Sequence, residues 1–409
     1  MSDEVALRPP DVSDMLPEEG VGEILAYVAG LSASDLFINA EMEHVALSIR
    51  RLGIVQPLMI LSSELGRRTM THIKAAAGMD IAERRRPQDG RWIAVLDDGR
   101  TVDLRINTIP TMYGEDFAIR LLQRETELRE IDQLGMSQYE RNLVFDALNR
   151  PSGLILATGA TGSGKTTTLY ACLSHVNDGR RKIHTIEDPI EYAIPGLRQS
   201  QVNPRIDLDF PELLRSILRQ SPDVIMIGEI RDATTAETTV RAANSGHLVF
   251  ATMPSPVAAG AIQSLRSLGV RPHFLSTCLL GVISQRLVRT LCPRCRQAYD
   301  ISNAPHTFDE VKQWLEPGEG ENLYGPKGCD DCAMTGYGGR SGIFEIMTMS
   351  PEIRQLIAKG RSAREVRHKA AEQGMREFRH SALLKVARGE TSTEEVFRVI
   401  PTEYLLPDD

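Results

Sequence analysis

Apolar residues change their spacing several times along the chain, and each change predicts an element. Residues 1–19 are rich in proline and acids and read as a loose tail. Helical spacing follows over Val21–Leu31. Alternation at His44–Arg50 and Trp92–Leu96 and a last run at Phe117–Leu122 predict strands, so a small α+β domain is expected over residues 20–122. The charged stretch 123–136, with Gln123–Leu134 as its hinge, reads as a linker. Helical spacing returns at Tyr139, Leu143, Val144, Ala147 and Leu148.

From residue 137 to 291 strand-like and helix-like stretches alternate. Leu154–Ala157, Lys182–Ile186, Val224–Ile227 and His247–Thr252 read as strands, with helices at Glu212–Gln220 and Thr234–Asn244. That order predicts an α/β domain on a parallel sheet, the arrangement of a RecA-like P-loop core with ligands at the carboxyl ends of the strands. Residues 292–342 are loops with cysteine and glycine. Residues 343–409 read as mainly helical, with Ser362 and Ser392 as N-caps. There is no internal repeat.

The apolar run at 154–157 leads into Gly159-Ala160-Thr161-Gly162-Ser163-Gly164-Lys165-Thr166, followed by Thr167. A Gly-rich turn between a strand and a helix aims several backbone N–H groups at one point. Lys165 then reaches the β- and γ-phosphates of a nucleoside triphosphate, and the Thr166 hydroxyl holds Mg²⁺. Binding of ATP by residues 159–167 is the firmest expectation.

Hydrolysis also requires carboxylates near the phosphates. Two acidic clusters follow apolar strands, Glu187-Asp188-Pro189-Ile190-Glu191 and Gly228-Glu229-Ile230-Arg231-Asp232. Glu187 and Glu229 are the candidate acids; capping of the next helices is the plainer alternative. His247 opens a strand and is expected where a group senses the γ-phosphate, although a lone histidine on a strand is commonly a core residue.

Six cysteines divide into two kinds. Cys292 and Cys295 form one Cys-x-x-Cys knuckle, and Cys329 and Cys332 form another. Four thiolates make a closed structural zinc site, with a redox dithiol as the alternative. Cys172 and Cys278 lie among apolar residues and read as core cysteines.

Bulk properties narrow the function. The 409 residues, 42% hydrophobic and 25% charged, are sufficient for more than one core. A net charge of −8 argues against nucleic-acid binding, and Arg84-Arg85-Arg86 reads as a solvated face or a ring contact. No stretch has the roughly 18 apolar residues of a membrane span, and no secretory signal opens the chain, so a cytoplasmic protein is expected.

Taken jointly, the motifs resemble the secretion ATPases of type II secretion and type IV pilus assembly, the GspE/PilB group. The resemblance runs from about Gly20 to Ile400. It rests on the P-loop, the Asp box Thr185–Glu191, the Walker B stretch Asp223–Asp232 and the His box opening at Gly246-His247. It also rests on Pro87–Arg91, Pro110–Arg120 and Gln285–Pro293. It implies a homohexameric ring motor with a PAS-like N-terminal domain, peripheral at the cytoplasmic face of the inner membrane. Its partners would be an inner-membrane platform protein and a docking protein at the cytoplasmic face. In such a motor Glu187 activates water, Glu229 stands near Mg²⁺, and Arg105 and Arg120 reach nucleotide phosphates. Gly328–Arg340 matches the family's metal-bearing region, which favours Zn²⁺ at the four cysteines and assembly over retraction.

The sequence departs from that pattern in three places. Pro254 stands where the family carries a second histidine, and Ser34–Asn39 lacks the family's histidine and glutamate. The chain also begins close to its first domain, so docking through an extra N-terminal module is not expected. Pro254 motivates a second reading, a regulatory ring component that binds nucleotide with little hydrolysis.

Overall fold

The computed structural model describes residues 9–96, 99–123, 128–304 and 306–406. Two compact units divide at residue 128. Residues 1–8 of the expected tail and 124–127 of the expected linker lie outside the described residues.

The first unit contains α1 (Pro17–Gly30), β1 (Asp35–Ala40), β2 (His44–Arg51), β3 (Ile54–Ser62), α2 (Ser63–Ala76), β4 (Gln88–Val95), β5 (Thr101–Thr111) and β6 (Gly114–Gln123). Its sheet has the order β3-β2-β1-β6-β5-β4, and every pairing is antiparallel. Alternation sends Leu36, Ile38, Leu47, Ile49, Leu104, Ile106, Phe117 and Ile119 into one core with Ile24 and Val28 of α1 and Ile73 of α2. The opposite face mixes the charged Arg91, Arg105 and Arg120 with exposed Ile60, Ile93 and Val95. Beneath it the buried Lys74 ammonium bonds the Glu115 carboxylate at 2.5 Å and the Glu83 carbonyl at 2.7 Å, closing the loop before β4.

The second unit opens with α3 (Gln138–Leu148), β7 (Gly153–Thr158), α4 (Lys165–Val176), β8 (Ile183–Glu187), β9 (Arg198–Gln201), α5 (Phe210–Leu218) and β10 (Val224–Ile227). It continues with α6 (Ala233–Asn244), β11 (Leu248–Met253), α7 (Ala258–Ser267), α8 (Pro272–Cys278) and β12 (Leu279–Leu291). Then come β13 (Gln297–Asp300), β14 (Asn322–Gly325), β15 (Tyr337–Thr348), α9 (Pro351–Ala358), α10 (Ala363–Glu372), α11 (Phe378–Ala387) and α12 (Thr393–Val399).

The large sheet runs β15-β12-β7-β11-β10-β8-β9. Six strands are parallel, and β15 closes one edge antiparallel to β12. Helices cover both faces. Leu154 and Leu156 pack toward the helices from α5 to α10, whereas Ile155 and Ala157 pack toward α3 and α4. Burial on both faces explains why these strands read as unbroken apolar runs.

Two boundaries differ from the sequence reading. Ile131, Leu134 and Met136, expected in the linker, are buried in the core beside α4. The expected break at 342/343 falls inside β15, whose twelve residues return from the cysteine loops to the sheet edge. Ser362 and Ser392 cap α10 and α12, their hydroxyls accepting from Glu365 and Glu395 N–H.

Candidate nucleotide and metal sites

β7 ends at Thr158 in the middle of the large sheet, and residues 159–164 turn there into α4. The turn needs glycine at two places. Gly159 has φ +145°, and a Cβ on it would lie 2.5 Å from the Gln285 carbonyl oxygen. Gly164 caps α4 in the left-handed region at φ +89°. The Lys165 ammonium folds back onto the loop, donating to the Gly159 and Ala160 carbonyls, each at 3.0 Å. Burial holds its pKa below the ordinary lysine value; Glu229 opposes that shift and Arg286 adds to it.

Glu229 follows β10, and its carboxylate accepts from the Arg231 guanidinium at 2.7 and 2.5 Å. Gly228 is clamped between β8 and β11: its N–H donates to the Ile186 carbonyl at 2.7 Å, and its carbonyl accepts from the Thr252 hydroxyl. The charge of this carboxylate works to raise the Lys165 pKa.

Glu187 is placed differently. It ends β8, three strands from β7, a lateral step of about 14 Å. Its carboxylate is only 2% exposed and is bonded by the Tyr170 hydroxyl, the Thr185 hydroxyl and the Gln199 amide. Those donors turn it into the core beside α4. Burial and this carboxylate together push the Tyr170 pKa far above the usual phenol range.

The expectation for His247 is corrected. Its carbonyl accepts from Gly153 N–H at the start of β7, and its Nδ1 lies 2.9 Å from the Ala242 carbonyl. In a parallel sheet that is the amino edge, whereas the P-loop leaves the carboxyl edge, six residues or about 20 Å away. His247 closes the turn after α6.

Arg105 and Arg120 lie in the first unit, on the sheet face away from its core. They are direct partners in the β5–β6 register, and the row continues to Arg91 on β4 and to Asp35 and Arg50 on β1 and β2. Arg120 is bonded to Asp35 at 3.2 Å, and Arg91 to Asp103 at 2.6 Å.

The four knuckle sulfurs converge within 4.8 Å of one another. Neighbouring pairs are 3.8–3.9 Å apart, against an edge of ~3.8 Å for a tetrahedron with 2.3 Å metal–sulfur bonds. Burial works to raise the Cys332 thiol pKa. The N–H groups of Cys329 and Gly336, 3.2 and 3.1 Å from its sulfur, prevail with its neighbours and bring it down to about 7. Cys172 and Cys278 are core residues, and burial pushes both thiols up to about 12.

The model of the type II/IV secretion system protein family matches residues 13–398. The chain belongs to that family. Type II secretion system protein E of Dickeya dadantii is 41% identical over 401 residues, covering 96% of this chain and 79% of that one. Type II secretion system ATPase E of Vibrio cholerae is 40% identical over 400 residues, covering 95% and 78%. Among solved structures, the pilus retraction motor PilT with bound ADP is 25% identical with TM-score 0.62, covering 95% of this chain and 97% of that one. The Legionella pneumophila ATPase DotB shares the fold, with TM-score 0.70 at 20% identity, covering 96% and 98%.

In this member of the secretion family, two residues at the nucleotide loop escaped the motif reading. Gln285 and Arg286 on β12 lie against the P-loop, although they are about 120 residues further along the chain. Their sole sequence signal was membership of the run Gln285–Pro293. Pro254 follows β11, in a loop whose Pro256 carbonyl accepts from Arg286 at 3.0 Å. No described helix is long and apolar enough to cross a membrane.

Proposed function

We propose that the protein is an ATP-hydrolysing motor of a secretion or pilus-assembly machine. The observation that carries this is the P-loop at the centre of the large sheet, with Lys165 held over its carbonyls and coupled to Glu229, in a chain of the secretion family. The backbone N–H groups of residues 159–166 hold the phosphates, and Lys165 neutralises them. Mg²⁺, when bound, takes the Thr166 hydroxyl and supplies positive charge at the terminal phosphates. Glu229 is assigned to the surroundings of that ion.

Glu187 is assigned the orientation of the attacking water, which requires its carboxylate to leave Tyr170. Arg105 and Arg120 are assigned to phosphate charge in a ring of identical subunits. Six such chains would work at the cytoplasmic face of the inner membrane, against a platform protein. Zn²⁺ at Cys292, Cys295, Cys329 and Cys332 ties the β13–β14 loops to the start of β15.

Phosphate release by the purified chain tests the reading. Turnover is expected in the wild type and is expected to be lost in Lys165→Ala and Glu229→Gln. Unchanged rates in both variants would remove it, and binding of ATP without turnover in the wild type would favour the regulatory component.

A further inference from the structure

Two side chains of β12 reach the P-loop from behind. The Gln285 amide, 1% exposed, donates to the Ser163 carbonyl at 2.7 Å, and its own Oε1 is buried without a partner among the described residues. The next residue, Arg286, is 7% exposed. Its guanidinium donates to two carbonyls, Gln285 at 3.1 Å and Pro256 at 3.0 Å, and lies over the Phe378 ring. No described carboxylate stands within ion-pair distance of it. Its bonds all go to neutral oxygens, with Tyr404 and the buried Glu345 acting on it only through space, and a buried cation is costly unless an anion completes its surroundings.

The position of Arg286 indicates which anion. One guanidinium nitrogen is 3.3 Å from where a Cβ on Gly159 would stand. Gly159 and Ala160 are also the residues whose carbonyls hold the Lys165 ammonium. A P-loop lysine serves the β- and γ-phosphates, so Arg286 charges the terminal-phosphate end of the loop. With water excluded, that charge is weakly screened.

We propose that Arg286 is a positioning residue that favours the triphosphate over the diphosphate, acting through a P-loop backbone that Gln285 holds in place. Two of its donors are held by the Gln285 and Pro256 carbonyls, and it acts on the loop through its charge. Its bond to the Pro256 carbonyl ties β12 to the loop that follows β11. The proposal rests on the reading of residues 159–166 as the ATP site.

Titration of the full chain with fluorescent ATP and ADP analogues tests it, with Arg286→Met, Arg286→Lys and Lys165→Ala beside the wild type. Arg286→Met, which removes the charge at similar length, is expected to weaken the ATP analogue by about tenfold or more. The ADP analogue should change by less than about threefold, since the terminal phosphate is the group the charge serves. Arg286→Lys should recover most of the ATP affinity, and KM for ATP should follow the same order. Equal weakening of both nucleotides, or no change in either, overturns the proposal. So does failure of both Arg286 variants to fold by circular dichroism, which would show a purely structural residue. Nucleotide binding that survives Lys165→Ala overturns the ATP-site reading instead.

Discussion

Arg105 and Arg120 face each other directly across β5 and β6 on the side of the first sheet away from its core. Like charges in that relation destabilise a sheet, by roughly 0.2–1 kcal/mol. Asp35 offsets part of the charge, since both Arg120 and Arg50 reach it. The unbalanced remainder suits a surface that receives phosphate.

Arg120→Ala is therefore expected to leave the melting temperature nearly unchanged. The lost repulsion and the lost exposed pair with Asp35 are each worth about 1 kcal/mol or less and oppose each other. Phosphate release is expected to fall on the order of 10²-fold, as when a charge that stabilises the transition state is removed. A large fall in melting temperature with parallel loss of activity would give Arg120 a structural role.

Glu187→Gln separates chemistry from packing at the end of β8. The amide keeps the shape and can still meet the Tyr170 hydroxyl, but it cannot take a proton. Turnover is expected to drop by roughly 10²–10⁴-fold with nucleotide affinity preserved. Near-normal turnover in a folded Glu187→Gln protein would confine Glu187 to the core.

Metal analysis of protein purified without chelator is expected to find about one zinc per chain, from the four-thiolate geometry. Chelation should loosen residues 292–336, read as faster amide exchange there, while β7, β10 and β11 stay protected in their own core. Protein without zinc, or collapse of the whole sheet on chelation, would contradict this assignment.

Stability is expected to fall on acidification from about pH 7 to 5. Burial, aided by Arg379, holds the His380 pKa below its ordinary value of 6.5, where its ring packs on Trp314. The unfolded chain then takes up the proton first. Stability is complete above the unfolded pKa and is lost as pH falls toward the folded one. His380→Gln should flatten this part of the denaturation profile, and an unchanged profile would assign the slope elsewhere.

The carboxyl-edge motifs were legible because their chemistry is local. A Gly-rich turn between an apolar run and a helix is contiguous, and two Cys-x-x-Cys knuckles each bring two sulfurs within reach. His247 was misplaced because proximity to an apolar run does not say which end of a parallel strand meets the ligand. Glu187 was legible as a strand-end acid, but its direction is decided by Tyr170, Thr185 and Gln199, and only Thr185 is adjacent in sequence.

By itself, then, the sequence determined the nucleotide loop, the two cysteine knuckles and the alternation of strands and helices around β7, β8, β10 and β11, each carried by residues within a few positions of one another. Tertiary structure alone decided that Gln285 and Arg286 stand behind Gly159, that β15 returns to the sheet edge, and that Arg105 opposes Arg120. Such relations depend on strand order and register, which arise when distant segments bury their apolar faces together.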